Sequence, residues 1–188
     1  MELTVQADTL SLNAILTMPP LTDAELLHFS KSEQLTLENY NSGVIFARRA
    51  RKTIKKIQVQ VAKDRLTLAK FHLKDAVAIS KSVPTMNRAA VSRAYYALYH
   101  SARAASYISL GGDDYEQHTK LPTKFPDDFP NVAHWKNTLK DARLERNRAD
   151  YDPYPKGDLA FAQSALSFIS EARKFIRLTQ QYIKLKSN

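Results

Sequence analysis

At 188 residues the chain is long enough for one good core and short for two. It has no cysteine, which excludes disulfides, thiolate metal sites and cysteine nucleophiles, and its four glycines exclude collagen-like or low-complexity character. The net charge of +9 is unevenly placed: residues 1–47 carry six acids and one base, a balance of −5, which leaves +14 for the remainder.

Residues 1–20 are irregular and end in TMPP; with acids and no Lys or Arg, they lack the charge pattern of a secretory signal. TDAELLHF, residues 22–29, predicts a short helix, with Thr22 as cap and Glu25 three residues on at capping-box spacing. LTLENYNSGVIFARR, residues 35–49, alternates and breaks at Asn41-Ser42-Gly43, which predicts a small β-hairpin with a three-residue loop. This acidic N-terminal segment, residues 1–50, is too small and polar to hold a core alone. RRARKTIKK, residues 48–56, then has six bases and no acid. Such a run is either a patch for an acidic partner, nucleic acid above all, or the solvated first turn of a helix.

From Arg51 onward the pattern is helical and predicts an all-α bundle over 51–188. Ile54, Ile57 and Val61 start one stripe, and Leu66, Ala69, Leu73, Ala76 and Ser80 continue it after a register shift, with an end before Pro84. A second helix covers 86–110 and breaks at GGDDY (111–115), and residues 116–130 are loop-like. A third helix is expected from Asn131 to Asn147, stopped by Asp152-Pro153 and Pro155. Asp158 is expected to cap a fourth, reaching Lys184, with Leu159, Ala162, Leu166, Ile169 and Ile176 on its inner side. The architecture is thus four long helices after a small cap, and no stretch of eighteen apolar residues offers a membrane span. Together these features read as a cytoplasmic protein with no membrane partner.

In NRAAVSRAYYALYHSARAASYI (87–108), Val91, Ala94, Leu98, Ala102 and Ala105 share one face, small enough for another helix to approach closely. Arg93, Tyr96, His100, Arg103 and Tyr107 share the opposite face. Arginines grip phosphate, tyrosines stack on bases and a histidine carries a proton, so the stripe suits an RNA site; it equally suits a helix or subunit interface. On the third helix Trp135, Leu139, Ala142 and Ala149 form a stripe that also contains Arg146. A guanidinium on an apolar face needs an acceptor. Asp150, four residues on, is one, either as a structural partner or as the group that aims Arg146 at a phosphate. Asn147 adds a polar group beside it, while Arg143 and Arg148 are expected on the surface. The five histidines never sit at i,i+4 on one helix, which argues against a zinc site, and no Gly-rich phosphate loop or GxSxG is present. The acid pairs Asp113-Asp114 and Asp127-Asp128 are expected to be solvated turn residues.

SRAYYALYHSARA followed some forty residues later by RNRADYDP resembles the HEPN family (higher eukaryotes and prokaryotes nucleotide-binding domains), over roughly residues 55–185. The resemblance implies an all-α bundle of four or five helices that forms a homodimer, with no cofactor or metal. It implies either a metal-independent endoribonuclease of a toxin–antitoxin or antiviral defence system, or a non-catalytic module that binds RNA or nucleotide. The implied partner is a cognate antitoxin or a nucleotidyltransferase. In the catalytic reading Arg146 matches the family's arginine and Asn147 its polar neighbour, while Asp150 stands at the position of the family's histidine. A carboxylate held by arginine does not exchange a proton near neutral pH as an imidazole does. His100 or His118 would then carry the proton, and Arg93, Tyr96, Arg103, Asn147 and Tyr151 would contact the RNA.

Overall fold

The computed structural model describes residues 21–112 and 115–187. The irregular stretch 1–20 and the acid pair Asp113-Asp114 lie outside the described residues. The chain divides into two compact units, Met1–Phe46 and Ala47–Asn188.

The described part of the first unit is helical. Helix α1 (Asp23–Ser30) opens with the capping box seen in the sequence: the Glu25 amide donates to Thr22 Oγ1, and the Thr22 amide donates to the Glu25 carboxylate at 2.7 Å. Helix α2 (Gln34–Ala50) then replaces the expected hairpin. Asn41, Ser42 and Gly43 each disfavour a helix by about 1 kcal/mol or less, which neighbouring turns absorb, whereas a two-stranded hairpin in isolation is barely stable. The Gln34 side chain bonds Glu38 one turn on, further favouring the helix. No residue of α1 or α2 is buried.

The second unit is a helical bundle of α3 (Ile54–Ser80), α4 (Asn87–Leu110), the single turn α5 (Leu121–Lys124), α6 (Val132–Tyr151) and α7 (Ala162–Lys186). A 3₁₀ turn, Asp158–Phe161, leads into α7. Among the described residues there is no strand. Helix α4 is central and packs on α3, α6 and α7. Val91, Ala94, Leu98, Ala102 and Ala105 are fully buried, as their spacing predicts. Their small side chains let three neighbours approach one helix. Gly111 ends α4 in the left-handed region at φ 72°, where a Cβ would be strained.

The main core gathers Leu66 of α3, Leu98 of α4, Trp135 and Leu139 of α6, and Phe175 and Ile176 of α7. Trp135 stacks on Phe175 with centroids 4.4 Å apart. The segment read as loop sends Phe125 and Phe129 into this cluster, both about 2% exposed. Burying each stabilises by roughly 1.5–3 kcal/mol and anchors the segment that carries His118.

Two expectations about the later helices are corrected. Helix α6 runs to Tyr151, so both Arg146 and Asp150 lie within regular helix. Asp158 does not cap its own helix. Its carboxylate accepts from the amides of Asn87 (2.6 Å) and Arg88 (2.9 Å) and so caps α4 from across the bundle. The inner face of α7 is accordingly rotated: Phe161, Ala165, Ile169 and Ala172 are buried, while Leu159 and Leu166 are 80% and 60% exposed. The 3₁₀ turn winds more tightly than an α-helix, so a stripe extrapolated through it drifts off register.

Candidate functional site

The stretch RNRADYDPYP is held from α4. Arg88 donates through Nη1 to the carbonyl oxygens of Ala149 (2.7 Å) and Asp152 (3.0 Å) and through Nη2 to that of Pro155 (2.6 Å). Its guanidinium also lies 4.4 Å over the Phe161 ring. These carbonyls end a helix and the connector after it, so they have no partner within their own segment. One planar fork satisfies them and fixes where α6 stops relative to α4.

One turn back, Arg146 is 19% exposed and reaches between the two helices. Asp150 Oδ2 lies 2.7 Å from its Nε, off the line of the N–H bond, so the contact is ionic rather than a straight hydrogen bond. Nη1 donates to Asn147 Oδ1 at 3.2 Å, and Nη2 donates to the Tyr96 hydroxyl at 3.1 Å. The guanidinium carbon stands 5.6 Å from the centre of the Tyr96 ring and 5.2 Å from that of Tyr151. Burial alone would lower the Arg146 pKa, but Tyr96, Asp150 and Tyr151 together hold it above its ordinary value. Asp150 is itself oriented by Ser92 of α4, whose hydroxyl donates to Oδ1 at 2.6 Å.

Tyr96 is the hub of the site. Its ring lies 5.4 Å from His72, 6.4 Å from His100 and 6.4 Å from His118. His72 and His100 are stacked face to face at 5.2 Å and 2°. On the other side, His118 stacks on Tyr99 at 4.3 Å, and its Nδ1 lies 2.5 Å from the Tyr95 hydroxyl. Burial pushes the Tyr95 hydroxyl well above its ordinary pKa, so it keeps its proton. A protonated phenol both donates and accepts, so the tautomer of His118 sets the direction of this bond: with Nδ1–H donating to Tyr95, Nε2 is left free to take a proton, and with Tyr95 donating to Nδ1, Nε2 carries the hydrogen. Burial first, then the charges of Arg146, Arg103 and Arg143, hold the His118 pKa below the ordinary histidine value, which keeps the ring neutral near pH 7. Burial, and then Arg93, lower that of His72 as well, with Asp75 opposing.

Arg146, Asp150, Asn147, Tyr151, Tyr96, His100 and His118 are thus brought together on α4, α6 and the segment before α5. Arg93 is exposed and acts on this group through its charge on His72. Arg103 is not offered to a ligand as its stripe suggests. It is buried, ion-paired to Glu116 at 3.1 Å and set over the Tyr99 ring at 5.4 Å, so it fastens the segment that carries His118. Arg143, expected on the surface, is half-buried; its Nε has no hydrogen-bond acceptor, and its charge reaches His118. Sequence reasoning missed His72, Ser92, Tyr95 and Tyr99. The two tyrosines had a signal: Tyr95 with Tyr99, and Tyr96 with His100, are i,i+4 pairs that put two aromatic ladders side by side on one helix. His72 and Ser92 had none, because their partners lie on other helices.

Asp128 is no simple turn residue. Hydrogen bonds from Lys186 and Tyr182 (2.6 Å to the latter) hold its carboxyl below the usual range. Among the described residues no three His, Asp or Glu side chains gather as a metal site, and no helix is long and apolar enough to cross a membrane. No family model matches this chain, and no curated protein and no solved structure matches it.

Proposed function

We propose that the chain is an RNA-associated protein of the HEPN type that cleaves RNA at the Arg146 site without a metal ion. The observation that carries this reading is Arg146 itself: an oriented guanidinium between two tyrosine rings, with the neutral imidazole of His118 within reach of its field. A phosphodiester bound there meets the three needs of transesterification. Arg146 stabilises the charge that grows on the non-bridging phosphate oxygens. The 2′-oxygen attacks the adjacent phosphorus and gives its proton to His118, through Nε2 of the tautomer whose Nδ1–H donates to the Tyr95 oxygen; the ring is neutral near pH 7. The P–O5′ bond breaks, and the leaving oxygen takes a proton from His100 or from water. The products are a 2′,3′-cyclic phosphate and a 5′-hydroxyl. Asp150 positions Arg146 and does not handle the proton. Tyr96 and Tyr151 offer faces for a base.

A labelled total RNA pool incubated in EDTA, with Arg146→Ala alongside, tests the proposal. Cleavage that survives EDTA and disappears in the variant supports it. Absence of cleavage by the folded wild-type protein overturns it.

The second reading is a dimerising module that binds RNA or nucleotide and accompanies an antitoxin or nucleotidyltransferase. It is favoured by how fully Arg146 is engaged within the chain, by Asp150, Asn147 and Tyr96. Under that reading the protein binds RNA in the same assay and leaves it intact.

A further inference from the structure

Away from the Arg146 site, a shallow groove runs along the face of α7 into its seam with α3, as two adjoining hollows of about 310 Å³ (on α7) and 290 Å³ (between α7 and α3), which share Gln180 and Lys184. We propose that this groove takes the sugar–phosphate backbone of single-stranded RNA, as a second binding surface that rests on the RNA-associated reading above.

The rim is cationic. Arg173, Arg177 and Lys184 stand on one stripe of α7, at i, i+4 and i+11, and Lys63 of α3 lines the second hollow together with Lys184. All four are exposed. No carboxylate lines either hollow among the described residues, so these charges are not neutralised where they meet. At 1.5 Å per residue the stripe runs for about 16 Å, and its cations recur about once or twice per two turns. A repeating polyanion lying along the seam therefore meets several of them in succession. Gln180, which lines both hollows, accepts at Oε1 from Lys70 Nζ at 3.1 Å, so Lys70 adds a further cation beside the groove. The floor, Leu66, Ile176 and Ile183, is apolar and buried or nearly so. It suits the carbon faces of riboses.

An acidic protein is the rival occupant. Protein partners anchor through buried aromatic or arginine hot spots in well-packed pockets. This groove is shallow and has no aromatic side chain, and its evenly charged rim suits a uniform chain of phosphates better. None of the residues of the Arg146 cluster lines it, so the groove holds RNA without taking part in the chemistry.

The test uses the full chain carrying Arg146→Ala, so that any cleavage is silenced, and a fluorescein-labelled twenty-nucleotide oligouridine read by anisotropy over a range of salt. With Arg177→Glu and Lys184→Glu added, the Kd is expected to rise at least tenfold. The slope of log K against log salt is expected to become shallower by about 0.7 for each phosphate no longer neutralised. Circular dichroism checks the fold, and Arg177→Gln with Lys184→Gln gives the same direction if the reversal unfolds the protein. Unchanged affinity and slope in a folded double variant overturn the proposal. So does loss of binding confined to Lys55→Glu with Lys56→Glu in the basic run. Preferential binding of poly-glutamate over oligouridine, abolished in the double variant, assigns the groove to an acidic polypeptide instead and also overturns it. Groove-dependent binding by a wild-type protein that never cleaves RNA leaves this inference standing and removes only the catalytic one.

Discussion

The hydroxyl of Tyr96 accepts a hydrogen bond from Nη2 of Arg146, and the ring of the same tyrosine lies under the guanidinium. One residue thus fixes the arginine twice, by direction and by face. Tyr96→Phe keeps the face and removes the direction. We expect RNA cleavage to fall about tenfold, the worth of one hydrogen bond to a charged donor, with thermal stability nearly unchanged. Single-turnover rates beside a melting curve measure both. An unchanged rate would mean that Asp150 and Asn147 suffice to orient Arg146.

His118 is expected to be the Nδ1–H tautomer at pH 7, with Nδ1 donating to the Tyr95 oxygen and Nε2 free to act as the base. Nitrogen-15 shifts of a histidine-labelled sample distinguish the two nitrogens. Because its pKa is depressed, the ring stays neutral until the pH falls below the ordinary histidine value. A cleavage rate that depends on it as a base therefore holds at neutral pH and declines on acidification. A rate that rises as the pH falls through that range would assign the base elsewhere.

Asp158→Ala removes the cap of α4 and should cost about 1 kcal/mol, read by urea unfolding. Burial would raise the pKa of this carboxyl, but the amides of Arg88 and Asn87 hold it below its ordinary value. A carboxyl depressed in the folded state stabilises it above the unfolded pKa, and that contribution is lost as the pH falls through the folded one. The difference between wild type and variant should thus be full at neutral pH and shrink below about pH 4. A gap independent of pH would show that packing, not the charge, is what the variant removes.

Arg88→Lys keeps the charge and loses the fork that spans Ala149, Asp152 and Pro155. A loss of about 2 kcal/mol is expected. Amide exchange should quicken first around residues 149–155, the end of α6, where hydrogen-exchange mass spectrometry can follow it. Uniform quickening across the bundle would contradict a local role.

Phe175→Ala empties the stack against Trp135 at the centre of the core and should cost about 4 kcal/mol. A loss below about 1 kcal/mol in denaturant titration would mean the core closes around the gap.

The long helices were legible because each buries one face, and burial leaves a periodic trace: the alanines of α4 are the plainest case. The Arg146–Asp150 pair was legible for the same reason, as two residues one turn apart. What the sequence hid were relations between helices. Asp158 reads as the cap of the helix that follows it, and nothing local says that its carboxylate turns to Asn87. Arg103 reads as an RNA-binding residue because its partner, Glu116, lies beyond a turn. The hairpin was misread because Asn41-Ser42-Gly43 is a strong local turn signal, while the tolerance of a long helix for three weak residues is not local at all.

The cap of α4 also sets an order of events during synthesis. The amides of Asn87 and Arg88 await a carboxylate that lies 71 and 70 positions later. While the chain is still emerging from the ribosome, α3 and α4 can associate, but the first turn of α4 stays open until residue 158 has been made. The end of α4 that bears Arg88 is therefore sealed only after more than half of the bundle, all of it that precedes residue 158, has been made.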